Sequence, residues 1–235
     1  MADQFSRTRM LLGEAAMARL AAARVAVFGV GGVGSYVVEA LCRAGVGALD
    51  LIDNDTVALS NLNRQIIATH ETLGRDKVDV AAERVRSINP ACRVRTYKTF
   101  FLPENADAFD FAQYDYVVDA IDTVAGKLAL VERAQAAHTP ILSALGTGNK
   151  LNPALLEIGD VYDTSVCPLA RVMRRELRRR GVPQLKVLWS REEPLTPLPA
   201  DEPTERRSLP GSTPFVPAAG GLLIAAEVVK DLTGP

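Results

Sequence analysis

The sequence predicts a doubly wound, mostly parallel α/β sheet, extended at its C-terminal end by a further α/β segment. Three observations carry that prediction. Short apolar runs alternate with helical patterns over the first 150 residues, and the first run breaks into a glycine-rich turn that opens a helix. The third is the run Tyr116-Val117-Val118-Asp119-Ala120, which has the character of a strand covered on both faces.

The first strand is expected at 24–28, and Gly29-Val30-Gly31-Gly32-Val33-Gly34 comes directly after it. Gly29 permits a tight turn, Gly31 and Gly32 let backbone N–H groups approach an anion with no Cβ in the way, and Gly34 lets the helix pack close to the strand. The helix at 33–44 then points its positive end at the anion. Gly45-Val46-Gly47 stops that helix, and the second strand, 48–52, ends against Asp53. A polar loop, 54–73, leads to a helix at 75–88 closed by Asn89-Pro90. A third strand at 93–97, the fourth at 116–120, a helix at 126–137 and a strand at 140–144 complete a Rossmann-like unit over residues 1–150.

Beyond Gly148 the pattern changes. A strand is expected at 154–158, a helix at 168–180, a strand at 185–189 and a last helix at 218–232, so residues 151–235 form an extension of the same globular unit. Between the last two elements, 191–214 carries six of the chain's 14 prolines and many charges, the composition of a mobile loop.

At 235 residues, 48% hydrophobic and 23% charged, the chain has the balance of a soluble globule. A formal net charge of −1 gives no global attraction to nucleic acid, so any such binding needs a local patch. Neither a signal peptide nor an apolar run of roughly 18 residues is visible, and a cytoplasmic location with no membrane contact is expected. Cys42, Cys92 and Cys167 form no C-x-x-C pair, so neither a disulfide framework nor a four-cysteine zinc site is expected. Cys42 and Cys92 read as core residues, and His70 and His138 as structural.

Several charged residues turn a nucleotide fold into a chemical hypothesis. Asp53 lies about 20 residues beyond the glycine turn, where a carboxylate accepts hydrogen bonds from ribose hydroxyls; the alternative is a loop cap. Arg64, in Ser60-Asn61-Leu62-Asn63-Arg64-Gln65, offers a planar fork to phosphate oxygens, and Lys77 adds a point charge beside it. Asp55 reads as structural. Asp122 sits past the fourth strand, at the sheet edge where such folds bind ligands, and there suits Mg²⁺ that is also held by phosphates; the alternative is a helix N-cap.

This constellation resembles the ThiF/MoeB-type adenylating superfamily, which includes the ubiquitin-activating enzymes. The matching segments are Gly-Val-Gly-Gly-Val-Gly at 29–34, Asp53-Asn54-Asp55, Ser-Asn-Leu-Asn-Arg-Gln at 60–65, Leu-Gly-Arg-Asp-Lys at 73–77, Ser-Ile-Asn-Pro at 87–90 and Asp-Ala-Ile-Asp at 119–122. The resemblance implies attack of a substrate carboxylate on the α-phosphate of ATP, giving an acyl-adenylate and pyrophosphate. It implies that Asp53 holds the ribose, that Asn61, Arg64 and Lys77 hold the phosphates, and that Asp122 holds Mg²⁺. Arg7, in Gln4-Phe5-Ser6-Arg7, resembles the arginine that such homodimers lend across their interface.

The second half, with Tyr162–Ala170 (162–170) before an arginine-rich helix and Pro214-Phe215-Val216-Pro217 before the last helix, resembles the tRNA threonylcarbamoyladenosine dehydratase branch. That branch activates the threonyl carboxylate of N6-threonylcarbamoyladenosine beside the anticodon of tRNA and closes it to a cyclic hydantoin. No cysteine relay is needed, because intramolecular attack by a ureido nitrogen has an effective molarity of about 10⁵ M or more. The 168–180 helix sets Leu169, Val172, Met173 and Leu177 on one side and Arg171, Arg174, Arg175 and Arg178 on the other, with Arg179 and Arg180 at its end. Such a basic stripe suits tRNA phosphates. Cys167, just before that helix, is a candidate for a lowered thiol pKa, with a buried packing role as its alternative.

The rival expectations are activation of the C-terminal glycine of a ubiquitin-like sulfur-carrier protein, an NAD-dependent oxidoreductase, and a nucleotide-binding scaffold serving a sulfur-transfer partner of the cysteine desulfurase type. The absent C-x-x-C pairs argue against the first. Hydride transfer leaves Arg64, Lys77 and Asp122 without a shared purpose.

Overall fold

A computed structural model describes residues 3–199 and 210–234. Among these residues seven strands form one sheet: β1 (Arg24–Phe28), β2 (Ala48–Ile52), β3 (Arg93–Tyr97), β4 (Tyr116–Asp119), β5 (Ile141–Ala144), β6 (Leu156–Asp160) and β7 (Lys186–Ser190). Their spatial order is β3-β2-β1-β4-β5-β7-β6, with every pairing parallel except β6 against β7. The six α-helices among them are α1 (Ser6–Ala22), α2 (Gly34–Ala44), α3 (Lys77–Ile88), α4 (Val124–Ala136), α5 (Pro168–Arg179) and α6 (Phe215–Thr233).

The predicted doubly wound sheet is therefore present, and its apolar strands are explained by burial on both faces. Val25 and Val27 of β1 pack with α1, α2, α3 and α6, whereas the alternating Ala26 and Phe28 pack with α4 and the aromatic segment that precedes β4. Phe28 meets the rings of Phe101 and Phe109 at 4.9 and 5.4 Å. A third cluster, built from α4, α5, β7 and Trp189, fills the space under the C-terminal strands.

Strand β2 carries a carboxylate into this core. Asp50 is 1% exposed, and Arg24 meets both its oxygens at 3.0 and 2.8 Å while the hydroxyls of Tyr97 and Tyr114 donate to Oδ2. The charge is thus paired and hydrogen-bonded, the only condition under which a buried carboxylate is tolerable. It ties together β1, β2, β3 and the turn before β4.

Several boundaries differ from expectation. Residues 6–22 are helical, with a break at Gly13 (φ 80°) that obscures the periodicity in the sequence. Arg9 anchors the start through two bonds to Asp3 at 3.0 and 2.8 Å. The strand expected at 154–158 runs from 156 to 160, because Asn152 caps a short turn over Pro153–Leu155. The last helix begins three residues early, at Phe215. Its Gly221 lies where a Cβ would come within 2.4 Å of the Val33 carbonyl oxygen, so α6 rests directly on the start of α2.

Of the expected mobile loop at 191–214, residues 200–209 lie outside the described residues. Its flanks are bonded: the Leu195 N–H donates to the Asn149 carbonyl at 2.8 Å, and the Asn149 N–H donates to the Gly211 carbonyl at 2.7 Å.

Glu39 links α2 to α3. Arg84 donates to both its oxygens and Arg43 to one, at 2.5 to 3.0 Å. Burial opposes its ionisation, but these bonds outweigh burial and hold the Glu39 carboxyl below the usual glutamate value. Its contribution is present above the unfolded-state pKa and is lost as pH falls through the lower folded-state value. Glu39→Gln is expected to cost about 1–3 kcal/mol in urea unfolding at pH 7. The gap from wild type should close as the acid limb is descended below about pH 4.

Candidate active site

Strand β1 lies between β2 and β4, so the chain winds away from it in both directions and leaves a crevice at the strands' C-terminal ends. A cavity of about 650 Å³ occupies that crevice. Its lining includes Gly29, Gly31, Gly32, Asp53, Asn61, Arg64 and Lys77, together with the 145–150 loop, Cys167 and Pro194.

The glycine turn is built by close backbone approach. Gly29 has φ 89° and donates to the Ile52 carbonyl at 2.8 Å, and a Cβ on it would meet the Ala120 carbonyl oxygen at 2.6 Å. A Cβ on Gly34 would fall 1.8 Å from the Gly29 carbonyl oxygen. Gly31 and Gly32 instead face the cavity, and the stem of Arg64 lies 3.5 Å from the Cβ position of Gly32. A Cβ-free cradle at the start of α2 with a guanidinium carrier beside it is the arrangement a phosphate chain requires.

Asp53 performs the loop-capping role as well as lining the cavity. Its Oδ2 accepts the Val30 N–H at 2.7 Å and its Oδ1 accepts the Asp55 N–H at 2.9 Å. Each oxygen keeps a further lone pair for a sugar hydroxyl. Asn61 is 9% exposed; its Oδ1 accepts the Ala58 N–H at 3.1 Å, closing the turn over Leu59–Asn61, while its amide lines the cavity. The Arg64 guanidinium donates to the Ser60 carbonyl and to Asn63 Oδ1, both at 2.9 Å. Lys77, the first residue of α3, is buried at the cavity wall with its ammonium 2.7 Å from Asp55 Oδ2. Asp55, expected to be structural, is what holds that ammonium in place.

Asp122 lines the cavity. Helix α4 begins at Val124, not at 126, with Thr123 as its N-cap, so Asp122 lies nearer the helix than expected without being its cap. Arg7 is exposed on α1 and does not line this chain's cavity.

The arginines of α5 are partly engaged by their neighbours. Arg174 donates to the carbonyl and hydroxyl of Thr164, Arg178 lies 5.0 Å over the Tyr162 ring, and Arg175, Arg179 and Arg180 all pair with Glu176. Arg171, Arg175, Arg178, Arg179 and Arg180 are exposed, as helical spacing predicts, and one glutamate offsets only one of their charges, so the outer face stays basic. Arg171 is exposed and has no ion pair among the described residues.

Cys167 is buried at the cavity floor as the residue preceding α5. Cys42 and Cys92 are core residues as expected, and burial pushes their thiols up to about 12 and about 11. His70 and His138 are exposed, away from the cavity lining.

Several functional positions escaped the sequence reading. Lys150 is 3% exposed, lines the cavity and donates to the Glu192 carbonyl; nothing in its local sequence marks it. Gln65 is buried against the cavity, although it stands in the same polar run as Arg64. Lys127 and Asp119 form a fully buried ion pair at 3.0 Å behind the Asp122 loop.

A profile of the ThiF family matches residues 5–235. The tRNA threonylcarbamoyladenosine dehydratase of Bacillus subtilis (strain 168) is 38% identical over 99% of this chain and 95% of that protein. The Escherichia coli (strain K12) protein of the same name is 41% identical over 75% of this chain and 66% of its own length. The crystal structure of the E. coli dehydratase in complex with ATP superposes with a TM-score of 0.88 at 34% identity, covering 97% of this chain and 93% of that one. The glycine cradle, the cations around it and similarity along nearly the whole chain lead to one assignment: this protein belongs to the ThiF family.

Proposed function

We propose that this chain is an ATP-dependent tRNA threonylcarbamoyladenosine dehydratase. It adenylates the threonyl carboxylate of N6-threonylcarbamoyladenosine and closes the product to the hydantoin. One observation carries the reading: the chain matches a dehydratase of that name along 99% of its length, and an ATP-bound dehydratase structure shares its fold. The same matches weigh against hydride transfer, sulfur-carrier activation and a passive scaffold.

The residues present suit this chemistry. The N–H groups of the glycine turn and the start of α2 receive phosphate oxygens, and Arg64 and Lys77 offset the charge that builds on them during displacement. Asp53 orients the ribose and Asn61 steadies the phosphates. The carboxylate attacks the α-phosphorus and pyrophosphate leaves; the ureido nitrogen then attacks the acyl carbon, AMP departs and the nitrogen's proton is released. No thiol takes part, so a sulfur-transfer partner is not required by the reaction.

Asp122 offers one carboxylate at the cavity, and among the described residues no three His, Cys, Asp or Glu side chains cluster as a metal cage. That donor set fits Mg²⁺, which takes one or two carboxylates and completes its shell with phosphate and water. When bound, Mg²⁺ would supply charge neutralisation on the phosphates.

The homodimer reading is supported by an apolar surface on two packed helices. Met10 and Leu11 of α1 are 84% and 87% exposed, and Leu222 and Leu223 of α6 are also exposed. Arg7 stands on the same helix as Met10 and outside its own cavity, as a lent residue must. Among the described residues no helix is long and apolar enough to cross a membrane, and a tRNA substrate supports the reading of a cytoplasmic enzyme.

Incubation of purified protein with ATP, Mg²⁺ and modified tRNA, followed by mass analysis of the nucleoside, tests the reading. ATP-dependent loss of one water is expected, and an unchanged nucleoside with folded, ATP-binding protein overturns it. Arg64→Ala and Lys77→Ala should each lower turnover by about 10²-fold with the unfolding midpoint unchanged; wild-type rates in both contradict their phosphate roles.

Subunit mixing tests Arg7. Arg7→Ala and Lys77→Ala homodimers, each inactive, should recover about a quarter of wild-type activity when re-equilibrated together, because half the dimers then contain one intact site. No recovery places Arg7 within its own subunit's site or outside catalysis.

Binding of tRNA should weaken linearly with log salt concentration. Arg171→Ala should reduce that slope by about one, whereas Arg174→Ala should leave the slope unchanged and lower thermal stability.

A further inference from the structure

We infer that Lys127, through its buried pair with Asp119, is a positioning residue that sets Asp122 and the 145–150 loop at their working separation in the cavity lining. This inference rests on the reading of Asp122 as the carboxylate that meets Mg²⁺.

Lys127 and Asp119 are both 0% exposed. The Lys127 ammonium donates to Asp119 Oδ1 at 3.0 Å and to the Ala144 carbonyl at 2.7 Å. Asp119 is the last residue of β4 and Ala144 the last of β5, and the two strands are paired in register, Asp119 beside Ser143. One charge on α4 therefore fastens the C-terminal ends of two neighbouring strands, at the points where each gives way to a cavity loop.

Both of those loops line the cavity. The Ile121 N–H donates to the same Asp119 Oδ1 at 3.3 Å, so the carboxylate that receives the ammonium also folds the turn that presents Asp122. Ala120, between them, has its carbonyl against Gly29 of the phosphate turn. The first turn of α4 cannot drift from this loop, because a Cβ on Gly126 would lie 2.7 Å from Ile121 Cδ1 and 2.9 Å from the Phe101 carbonyl oxygen. Residues 145–150 continue directly from Ala144 and line the same cavity.

Stability alone does not call for an ion pair here. Desolvating two charges is costly, and replacing a buried pair with apolar side chains of similar volume is often neutral or stabilising. Removing only one partner leaves a buried, unpaired charge and is destabilising. The two roles are therefore separable in a double variant.

The test compares wild type with Asp119→Leu/Lys127→Met in thermal unfolding, in calorimetric ATP affinity with EDTA and with Mg²⁺, and in turnover on modified tRNA. The double variant is expected to fold cooperatively, to melt somewhat below wild type because the Ala144 carbonyl and the Ile121 N–H lose these partners, and to bind metal-free ATP within about twofold of wild type. Its tightening of ATP affinity by Mg²⁺ should weaken by about tenfold, the scale seen when partners of a metal's ligands are removed. Turnover should fall by about 10²-fold, as a misplacement of about 1 Å produces. Lys127→Arg, which keeps the charge and changes its reach, is the second variant and should shift the Mg²⁺ response in the same direction; should the double variant fail to fold, this variant decides. A Mg²⁺ response and turnover equal to wild type in the folded variants overturn the inference and leave the function intact. A wild-type protein whose ATP affinity ignores Mg²⁺ overturns the metal reading of Asp122, and the inference with it.

Discussion

The site depends on a backbone contact in which no side chain intervenes. The turn after β1 touches the end of β4 at Gly29 and Ala120, and the start of α2 touches the same turn at Gly34. These approaches bring three peptide segments within van der Waals distance at the one place where β1 is flanked by strands running away on both sides. The N–H groups of the turn, Asp53 after β2 and Asp122 after β4 inherit their positions from that contact. Side chains larger than hydrogen would separate the segments and open the cradle.

Around this frame the protein handles charge by fixing each group with an internal partner. Asp53 accepts backbone N–H groups of its own loops, Lys77 is held by Asp55, and Arg64 is steadied by Ser60 and Asn63. Such preorganisation keeps donors aimed where phosphate charge develops, with little reorganisation when it does. Deeper in, Arg24 does the same for Asp50 in the middle of β2, and Lys127 for Asp119 at the end of β4. The contrast with α5 is informative. There Glu176 and Thr164 tether some of the arginines on a face that stays basic, while Arg171 has no ion pair among the described residues.

Much of the fold was legible because its signals are local. Continuous apolar runs mark strands buried on both faces, and the Gly29–Gly34 turn marks the passage from strand to helix. The polar run around Arg64 and the carboxylates at 53 and 122 could be assigned to a common cleft, since in a doubly wound sheet every loop after a strand reaches the same edge. Helix α1 was not legible, because Gly13 breaks its periodicity and most of its surface is exposed. Lys127 was not legible either. A lysine in an ordinary helical stretch reads as solvated, and only the approach of Asp119 and Ala144 from two other strands makes its burial possible.

By itself, then, the sequence determined the order of the elements from β1 onward, the glycine turn and the residue types gathered at the sheet edge, because each follows from periodicity or from the stereochemistry of neighbouring residues. The tertiary structure alone decided which charges are spent inside the protein and which face the cavity. It also decided that β6 runs against its neighbours and that two buried lysines, Lys127 and Lys150, stand behind the site. Those outcomes depend on desolvation and on partners far apart in the chain, and neither is encoded within a local stretch of residues.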